Sequence, residues 1–220
     1  MSEVVSTTVS ENEISSEIDL VSALNISASA KRKIKEDVGE YLKEQILLSV
    51  GESKSPVSGE RFPALSKSYK KFKEDSSRQG TANLEFTGDM LDAVDYELTT
   101  DGIKIGVFGA EAGKADGHNN FSGDSDLPQR RFLPEKNQRF KAEIEQEIQR
   151  IVSDHVVDSV EIPYAEIRDV ETKAELIEIL DDMFPDFTFA EIRDAILRNE
   201  ELLELLDDNN LLQFLNVRKS

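Results

Sequence analysis

The sequence predicts an α+β fold, in which a small antiparallel sheet packs on two long helices and an acidic all-helical module follows at the C-terminal end. Apolar residues recur at three- and four-residue steps over 29–50 and 135–152, which predicts the two long helices. Apolar and charged residues alternate over 94–98 and apolar residues alternate again over 103–108, which predicts two strands. This order of elements is typical of a sheet-and-helix sandwich.

Composition and charge divide the chain into a flexible N-terminal arm over 1–27, an α+β core over 28–154 and an acidic helical module over 155–220. The arm is rich in Ser, Thr, Val and Glu, which is typical of a flexible segment; the alternative is a short amphipathic segment over 14–24. The module holds 17 acidic against 6 basic residues, whereas 51–154 holds 19 against 15. We therefore expect the core to stay folded when the module is deleted.

The first long helix is predicted to start after Ser27 or Ser29, because either hydroxyl can cap it, and to end at Gly51. Its apolar stripe consists of Ile34, Val38, Tyr41, Leu42, Ile46 and Leu47. A loop rich in Gly and Pro follows over 51–63.

Two short helices are predicted after this loop. The first spans 65–74, with Tyr69 and Phe72 facing inward. Its lysines are then expected to face outward: Lys67, Lys70, Lys71 and Lys73. The second spans 88–93, with the Thr87 hydroxyl as its cap.

Asp101-Gly102 predicts the turn of a hairpin between the two strands, because this pair adopts positive φ at low cost. Residues 109–127 contain four glycines and several Asp and Asn residues, which predicts a long loop. We expect the predicted loop to end and ordered structure to resume at Phe132-Leu133-Pro134, directly before the second long helix.

The C-terminal module contains an internal repeat, because the pattern of 164–170 recurs at 189–195 and an apolar helical segment follows each copy. The repeat predicts a small helical module with helices near 171–183, 188–197, 199–207 and 209–216. From Met183 to Leu212 the module also resembles a three-helix ubiquitin-binding fold of the CUE type; a helical docking or packing module is the interpretation we prefer.

Charge and residue content exclude several classes of function. The net charge of −19 argues against DNA or anionic lipid as the main partner, because polyanions bind through Lys and Arg. The absence of Cys excludes disulfides, thiolate nucleophiles and Cys-ligated zinc. No run of apolar residues approaches the roughly 18 that a membrane span needs, so we expect no membrane partner.

No motif for catalysis stands out, and we expect no enzyme activity, no catalytic residue and no cofactor. Neither a Gly-x-Ser-x-Gly elbow nor a Gly-rich phosphate loop is present. His118 has Asp116 and Asp124 near it in sequence, so a metal-dependent site in this loop is an alternative. A structural histidine is the preferred interpretation, because no second ligand follows at helical spacing; we expect no metal.

Two basic clusters stand out on the acidic chain. Arg130-Arg131 lies between Pro128 and Pro134, which hold the backbone extended and favour display of the side chains to a neighbour. The second cluster consists of Lys67, Lys70, Lys71, Lys73 and Arg78. Basic and acidic patches on one surface favour head-to-tail self-association, which closes into a ring when the rotation permits.

The order of elements over 28–152 resembles the virion morphogenesis or tail completion family of tailed phages, the Mu-type and P2-type neck proteins. The segments that carry the resemblance are Phe62-Pro63-Ala64-Leu65-Ser66, Thr87-Gly88-Asp89-Met90, His118-Asn119-Asn120-Phe121 and Leu127-Pro128-Gln129-Arg130-Arg131-Phe132-Leu133. The acidic module lies outside the part that resembles the family, so its role is left open.

The resemblance implies a non-enzymatic protein that forms a ring, a hexamer, at the head–tail junction of the virion, after assembly in the host cytoplasm. Its implied partners are copies of itself, the connector or adaptor proteins and the tail tube proteins, with DNA passing through the channel without specific binding. The residues that we expect at its interfaces are Arg130, Arg131, Phe132, His118, Asn119, Phe121, Lys70 and Lys71. The alternative is a soluble adaptor that binds a partner protein through its acidic helical domain.

Overall fold

The computed structural model describes residues 4–24, 26–85, 87–120, 128–159, 167, 170, 172–185, 187–208 and 211–215. The fold is α+β, as the sequence predicts, with one antiparallel sheet and mainly helical structure elsewhere in the described residues. The chain forms two compact units: Met1–Ser22 with Lys35–Ile148, and Ala23–Ile34 with Gln149–Ser220. We call them the sheet unit and the helical unit.

The sheet has four strands: β1 (Val4–Val9), β2 (Glu13–Asp19), β3 (Val94–Leu98) and β4 (Gly102–Phe108). Their order is β1-β2-β4-β3, and all neighbours are antiparallel. The predicted hairpin over 94–108 is confirmed, since β3 and β4 pair around Asp101-Gly102.

The expectation of a flexible arm over 1–27 is wrong, because this region supplies β1 and β2, half of the sheet. The side chains of Val4, Ile14 and Ile18 are buried in the core, and β2 pairs with a strand on each side. The segment looked like an arm because it is rich in Ser and Glu. Its β-branched residues, Val, Ile and Thr, are favoured in strands, where partners distant in sequence cover them.

Helix α1 (Ala28–Gly51) confirms the first predicted helix. The sheet unit contains its part from Lys35 onward, where the predicted stripe of Val38, Leu42 and Ile46 is buried. Gly39 lies against the Tyr96 ring, so closely that a Cβ at this position would overlap the ring atoms.

Three shorter helices follow in the sheet unit: α2 (Lys67–Asp75), α3 (Asp89–Asp92) and α4 (Ala112–Asn119). The prediction of α2 is confirmed; its N-terminal cap is Ser66, whose side chain accepts the Tyr69 N–H. The predicted Thr87 cap of α3 is wrong, because Gly88 takes that position with a φ of 100° that glycine adopts without strain.

The structure also corrects the long loop predicted over 109–127, since α4 occupies its first half. Ala112 and Ala115 give this helix a buried face. Alanines give a weak hydrophobic periodicity, and the glycines between them favour a loop, so the sequence of this region predicted a loop rather than a helix. Residues 121–127 lie outside the described residues.

Helix α5 (Ala142–Ser159) begins and ends about two turns later than the predicted 135–152. Its start is held by the Glu145 carboxylate, which accepts the Phe140 N–H at 3.1 Å. The predicted boundary at residue 155 falls inside this helix, and the two units divide between Ile148 and Gln149 instead. Val156 and Val157 are buried and continue the apolar stripe, which explains why the helix does not stop where the charge changes.

The helical unit contains α6 (Lys173–Met183), α7 (Phe189–Ile196), α8 (Glu200–Asp208) and a 3-10 turn at Leu212–Leu215, which confirms the predicted helical module. Helices α6 and α7 each begin with a capping box, formed by Thr172 with Glu175 and by Thr188 with Glu191. The second copy of the predicted repeat forms α7, whereas most of the first copy, 164–170, lies outside the described residues.

Candidate functional site

The basic segment 128–134 is built into the sheet unit rather than displayed on it. Phe132, Leu133 and Pro134 are buried, and the Ser16 hydroxyl of β2 donates a hydrogen bond to the Pro134 carbonyl oxygen. The Ser55 hydroxyl donates a second one to the carbonyl oxygen of Arg131 at 2.7 Å. The expected outward display of this segment is therefore wrong for the side chains that it buries, because the extended backbone pairs with the chain's own residues.

Asn119, the last residue of α4, holds this segment in place. Its Oδ1 accepts the backbone N–H groups of Phe132 and Leu133, each at 2.8 Å. Its Nδ2 donates to the Leu133 carbonyl oxygen at 3.1 Å. Asn119 is buried, so its side chain serves as a structural bracket in this chain rather than as an exposed contact.

Arg130 is buried too, with only 5% of its surface exposed. Its Nε and Nη2 both donate to the Pro63 carbonyl oxygen, at 3.3 and 3.2 Å. Burial lowers the pKa of Arg130, whereas the nearby Tyr69 raises it. An arginine keeps its charge in proteins, so this guanidinium is a buried cation that faces a neutral oxygen.

Lys73 of α2 is the second buried cation, with 2% of its surface exposed. Its Nζ donates to the Thr81 carbonyl oxygen at 3.0 Å and to Asn83 Oδ1 at 2.7 Å. Burial lowers the pKa of Lys73, the charge of Glu85 raises it, and the charges of Arg130 and Arg78 lower it.

The orientation of α2 is the reverse of the predicted one. Lys73 points inward, whereas Tyr69 and Phe72 are 43% and 53% exposed. The two rings lie 6.1 Å apart between centroids and form a small aromatic surface. Hydrophobicity alone predicts that the aromatic side chains of α2 face the core. Lys73 takes the buried position because Thr81 and Asn83 supply hydrogen-bond acceptors for its ammonium group.

His118 of α4 is half-buried, and its Nδ1 is fully enclosed without a hydrogen-bond partner in the described part of the chain. Burial is the main cause that lowers the pKa of His118, and the positive charges of Arg130 and Lys114 lower it further. The imidazole is therefore neutral at pH 7 and lies in a positive environment.

These side chains converge on one pocket of about 70 Å³, which we call the basic pocket. The charged and titratable side chains that line it are Tyr69, Lys73, Glu85, Lys114, His118 and Arg130. At neutral pH it holds three cations against one carboxylate, on a chain whose net charge is −19. The Lys114 ammonium is balanced by Glu111 at 2.7 Å, so the excess comes from the two buried cations.

The remaining predicted site residues lie elsewhere. Arg131 pairs with Glu135 at 2.8 Å and with Gln138 at 2.9 Å. Lys70 and Lys71 are exposed on α2, and Lys70 Nζ lies 3.8 Å from Glu74. Phe121 lies outside the described residues. The structure thus brings His118 and Arg130 together, adds Lys73, and leaves the interface role of the exposed residues as a prediction.

Neither a metal site nor a membrane span is found within the described ranges. No group of three or more Asp, Glu or His side chains there is placed to hold a metal ion. No described helix has the length and the apolar character to cross a membrane. The Asp116 carboxylate accepts a hydrogen bond from Asn120 at 2.8 Å, and Asp124 of the metal alternative lies outside the described residues.

Comparison with protein-family models, with curated proteins and with solved structures found no match to the chain. The resemblance to tail completion proteins therefore stays a prediction. The function has to be argued from the chain's own residues.

Proposed function

We propose that the protein is a non-enzymatic virion assembly protein that acts at the head–tail junction of a tailed phage, as a tail completion or neck protein. The observation that carries the proposal is the contact between two of the segments on which the resemblance rests. Asn119, in the segment that begins at His118, is hydrogen-bonded to Phe132 and Leu133, in the segment that contains Arg130 and Arg131. Motifs that are separate in sequence thus form one structural unit, which supports treating them as parts of one functional segment.

Exposed apolar groups support self-association as the mode of action. Tyr69 and Phe72 form an exposed aromatic surface on α2, with Lys70 and Lys71 beside them. Exposed aromatic residues next to cations are typical of protein interfaces. Because the rest of the chain is strongly acidic, a neighbouring copy offers carboxylates to these lysines, and such a head-to-tail contact builds a ring when it closes.

The acidic charge also suits a channel for DNA. Affinity for DNA grows with the number of phosphates that Lys and Arg neutralise, and a net charge of −19 disfavours such contacts. DNA would therefore pass through a ring of this protein without being held.

The test is the mass of the purified full-length chain by sedimentation velocity and light scattering, alone and with a purified phage connector. A closed ring of several copies, or addition to the connector, is expected. Tyr69→Ser with Phe72→Ser should weaken this assembly, whereas Leu98→Ser, which replaces an exposed leucine of β3, should leave it unchanged. A monomer at every concentration, with no affinity for the connector, would contradict the proposal.

The soluble adaptor is the second candidate, and the helical unit is the observation that favours it. This unit is acidic and forms a separate helical body with its own buried side chains, among them Leu176, Ile192 and Leu206. A compact module of this kind suits docking to a basic partner. If the protein is an adaptor, the mass measurement should give a monomer, which is the result that would contradict a ring-forming assembly protein.

A further inference from the structure

We propose that the basic pocket binds a compact oxyanion, the chemistry shared by free phosphate and by a carboxylate group. The pocket lies between α2, α4 and the segment 128–134 of the sheet unit. This inference goes beyond the proposed function and does not depend on it.

The first argument is the unbalanced charge of Lys73 and Arg130. Buried lysines and arginines are almost always paired with an anion, because a charge removed from water is costly on its own. In the described chain both donate only to neutral oxygens, those of Thr81, Asn83 and Pro63. The one carboxylate in the lining, Glu85, accepts a hydrogen bond from Asn83 at 3.0 Å and acts on Lys73 through its charge rather than as a hydrogen-bond partner in the described chain.

The second argument is the repulsion among the cations. Burial is the main cause that lowers the pKa values of Lys73 and His118, and the charge of Glu85 raises the pKa of Lys73. The charge of Arg130 lowers both pKa values further, and that of Lys114 lowers the pKa of His118. An anion placed among them replaces this repulsion by attraction and favours the charged forms.

The third argument is that Arg130 and Lys73, which both line the pocket, carry donors that the described chain leaves unused. A guanidinium carries five N–H donors and an ammonium three. Arg130 uses two of them and Lys73 uses two, within the part of the chain that the structure describes. His118 Nδ1 is enclosed without a partner, and a buried polar atom in that state costs free energy until a ligand or water satisfies it.

The size of the pocket selects the ligand. Its volume of about 70 Å³ exceeds the ~10–15 Å³ that one water needs and falls far below the ~300–1,000 Å³ of pockets for drug-sized ligands. A phosphate or a carboxylate group fits this description, whereas a nucleotide or a sugar phosphate is too large to enter whole.

The first experiment uses the full chain and measures its melting temperature against sodium phosphate and sodium acetate, with sodium chloride at matched ionic strength as the reference. A ligand that binds only the folded state raises the melting temperature with concentration. A rise that saturates with phosphate alone identifies phosphate as the ligand, because the general stabilisation by excluded salts grows with concentration without saturating. A saturating rise with both anions identifies a site that accepts carboxylates. No rise beyond that of chloride overturns the proposal.

Nuclear magnetic resonance of the two histidines locates the binding. Phosphate should shift the His118 ring resonances and raise the pKa of His118, because the anion favours the imidazolium. His155 lies in the helical unit and serves as the internal control. Equal responses of both rings would mean that phosphate acts generally and would overturn the proposal.

Matched variants test the residues. Arg130→Gln and Lys73→Met should each weaken phosphate binding by about tenfold or more, the size expected for one charged hydrogen bond. Arg131→Gln and Lys70→Met are their controls, since these neighbours lie outside the pocket lining, and should leave the affinity unchanged. Equal affinity in Arg130→Gln and Arg131→Gln overturns the proposal.

A surface pair replaces the buried variants if these fail to fold. Lys114 is exposed and lines the pocket, whereas Lys136 is exposed and does not. Lys114→Gln should weaken phosphate binding several-fold, and Lys136→Gln should not change it. Unchanged binding in both variants counts against the pocket.

Discussion

The side-chain oxygen of Asn119 accepts the backbone N–H of Phe132 at 2.8 Å, which ties the end of α4 to the start of a buried segment. The same oxygen accepts the next N–H along the chain, that of Leu133. His118 directly precedes Asn119, and Arg130 lies two residues before Phe132, so these hydrogen bonds also position two residues that line the basic pocket.

Asn119→Ala is expected to lower the free energy of unfolding of the sheet unit by about 2–4 kcal/mol, because it leaves two buried N–H groups without an acceptor. Urea denaturation followed by circular dichroism measures this loss, since the chain has no tryptophan whose fluorescence could report unfolding. Asn120→Ala is the control, since Asn120 is half-buried and its side chain bonds, among the described residues, to Asp116 and to Asn119 itself. A loss no larger than that of the control would mean that the bracket is not needed.

Gly39→Ala is expected to destabilise the sheet unit by about 1–3 kcal/mol, although alanine is the better helix former by about 1 kcal/mol. The reason is that the new Cβ overlaps the Tyr96 ring. Thermal unfolding of the single and double variants measures the coupling: in a Tyr96→Ala background the same change should become stabilising. Gly113 has open space around it, so Gly113→Ala provides the control without a clash.

Ile18→Ala should cost about 2–5 kcal/mol, because this side chain is fully buried at the centre of the sheet, opposite Ile103. Val9→Ala, at an exposed position of β1, should stay within about 0.5 kcal/mol of the parent chain. Chemical denaturation of the two variants distinguishes a structural N-terminal hairpin from a flexible arm. If residues 4–19 were an arm, both substitutions would be neutral.

The sheet unit is expected to lose stability as the pH falls from about 6.5, the value for an unfolded histidine. The folded pKa of His118 lies below this value, so the unfolded state binds more protons in that range and acid favours unfolding. Besides burial, the charges of Arg130 and Lys114 lower the pKa of His118, and Lys73 and Glu85 are the other charged groups that line the same pocket. His118→Gln should flatten the slope of unfolding free energy against pH between 7.5 and 5, and an unchanged slope would assign it to other groups.

Local patterns predicted the elements whose determinants are close together in sequence. The stripe of α1 and the Asp101-Gly102 turn belong to this class, because each is decided within a few residues. Strands β1 and β2 were missed, because their burial depends on β4, which lies far along the chain. The same holds for α4, whose buried alanines gain their partners only in the folded chain.

In the candidate site, too, some residues were identified from the sequence, whereas their environment depends on residues that are distant in sequence. His118 and Arg130 were singled out from sequence, but as exposed interface residues rather than as walls of a pocket. Lys73 was assigned to solvent, because a lysine beside two aromatic residues is normally the outward one. The acceptors that draw it inward, on Thr81 and Asn83, come from the next loop and leave no signal in the helical pattern.

The place of β2 between β1 and β4 governs how newly made chains reach this fold. During synthesis the first two strands leave the ribosome long before β4, and a two-stranded hairpin on its own is only marginally stable in water. The side chains of Ile14 and Ile18 therefore stay exposed to solvent until the β3–β4 hairpin has emerged. Slow closure of this kind exposes nascent chains to each other, and a lower concentration of unfinished chains would give them less opportunity to aggregate.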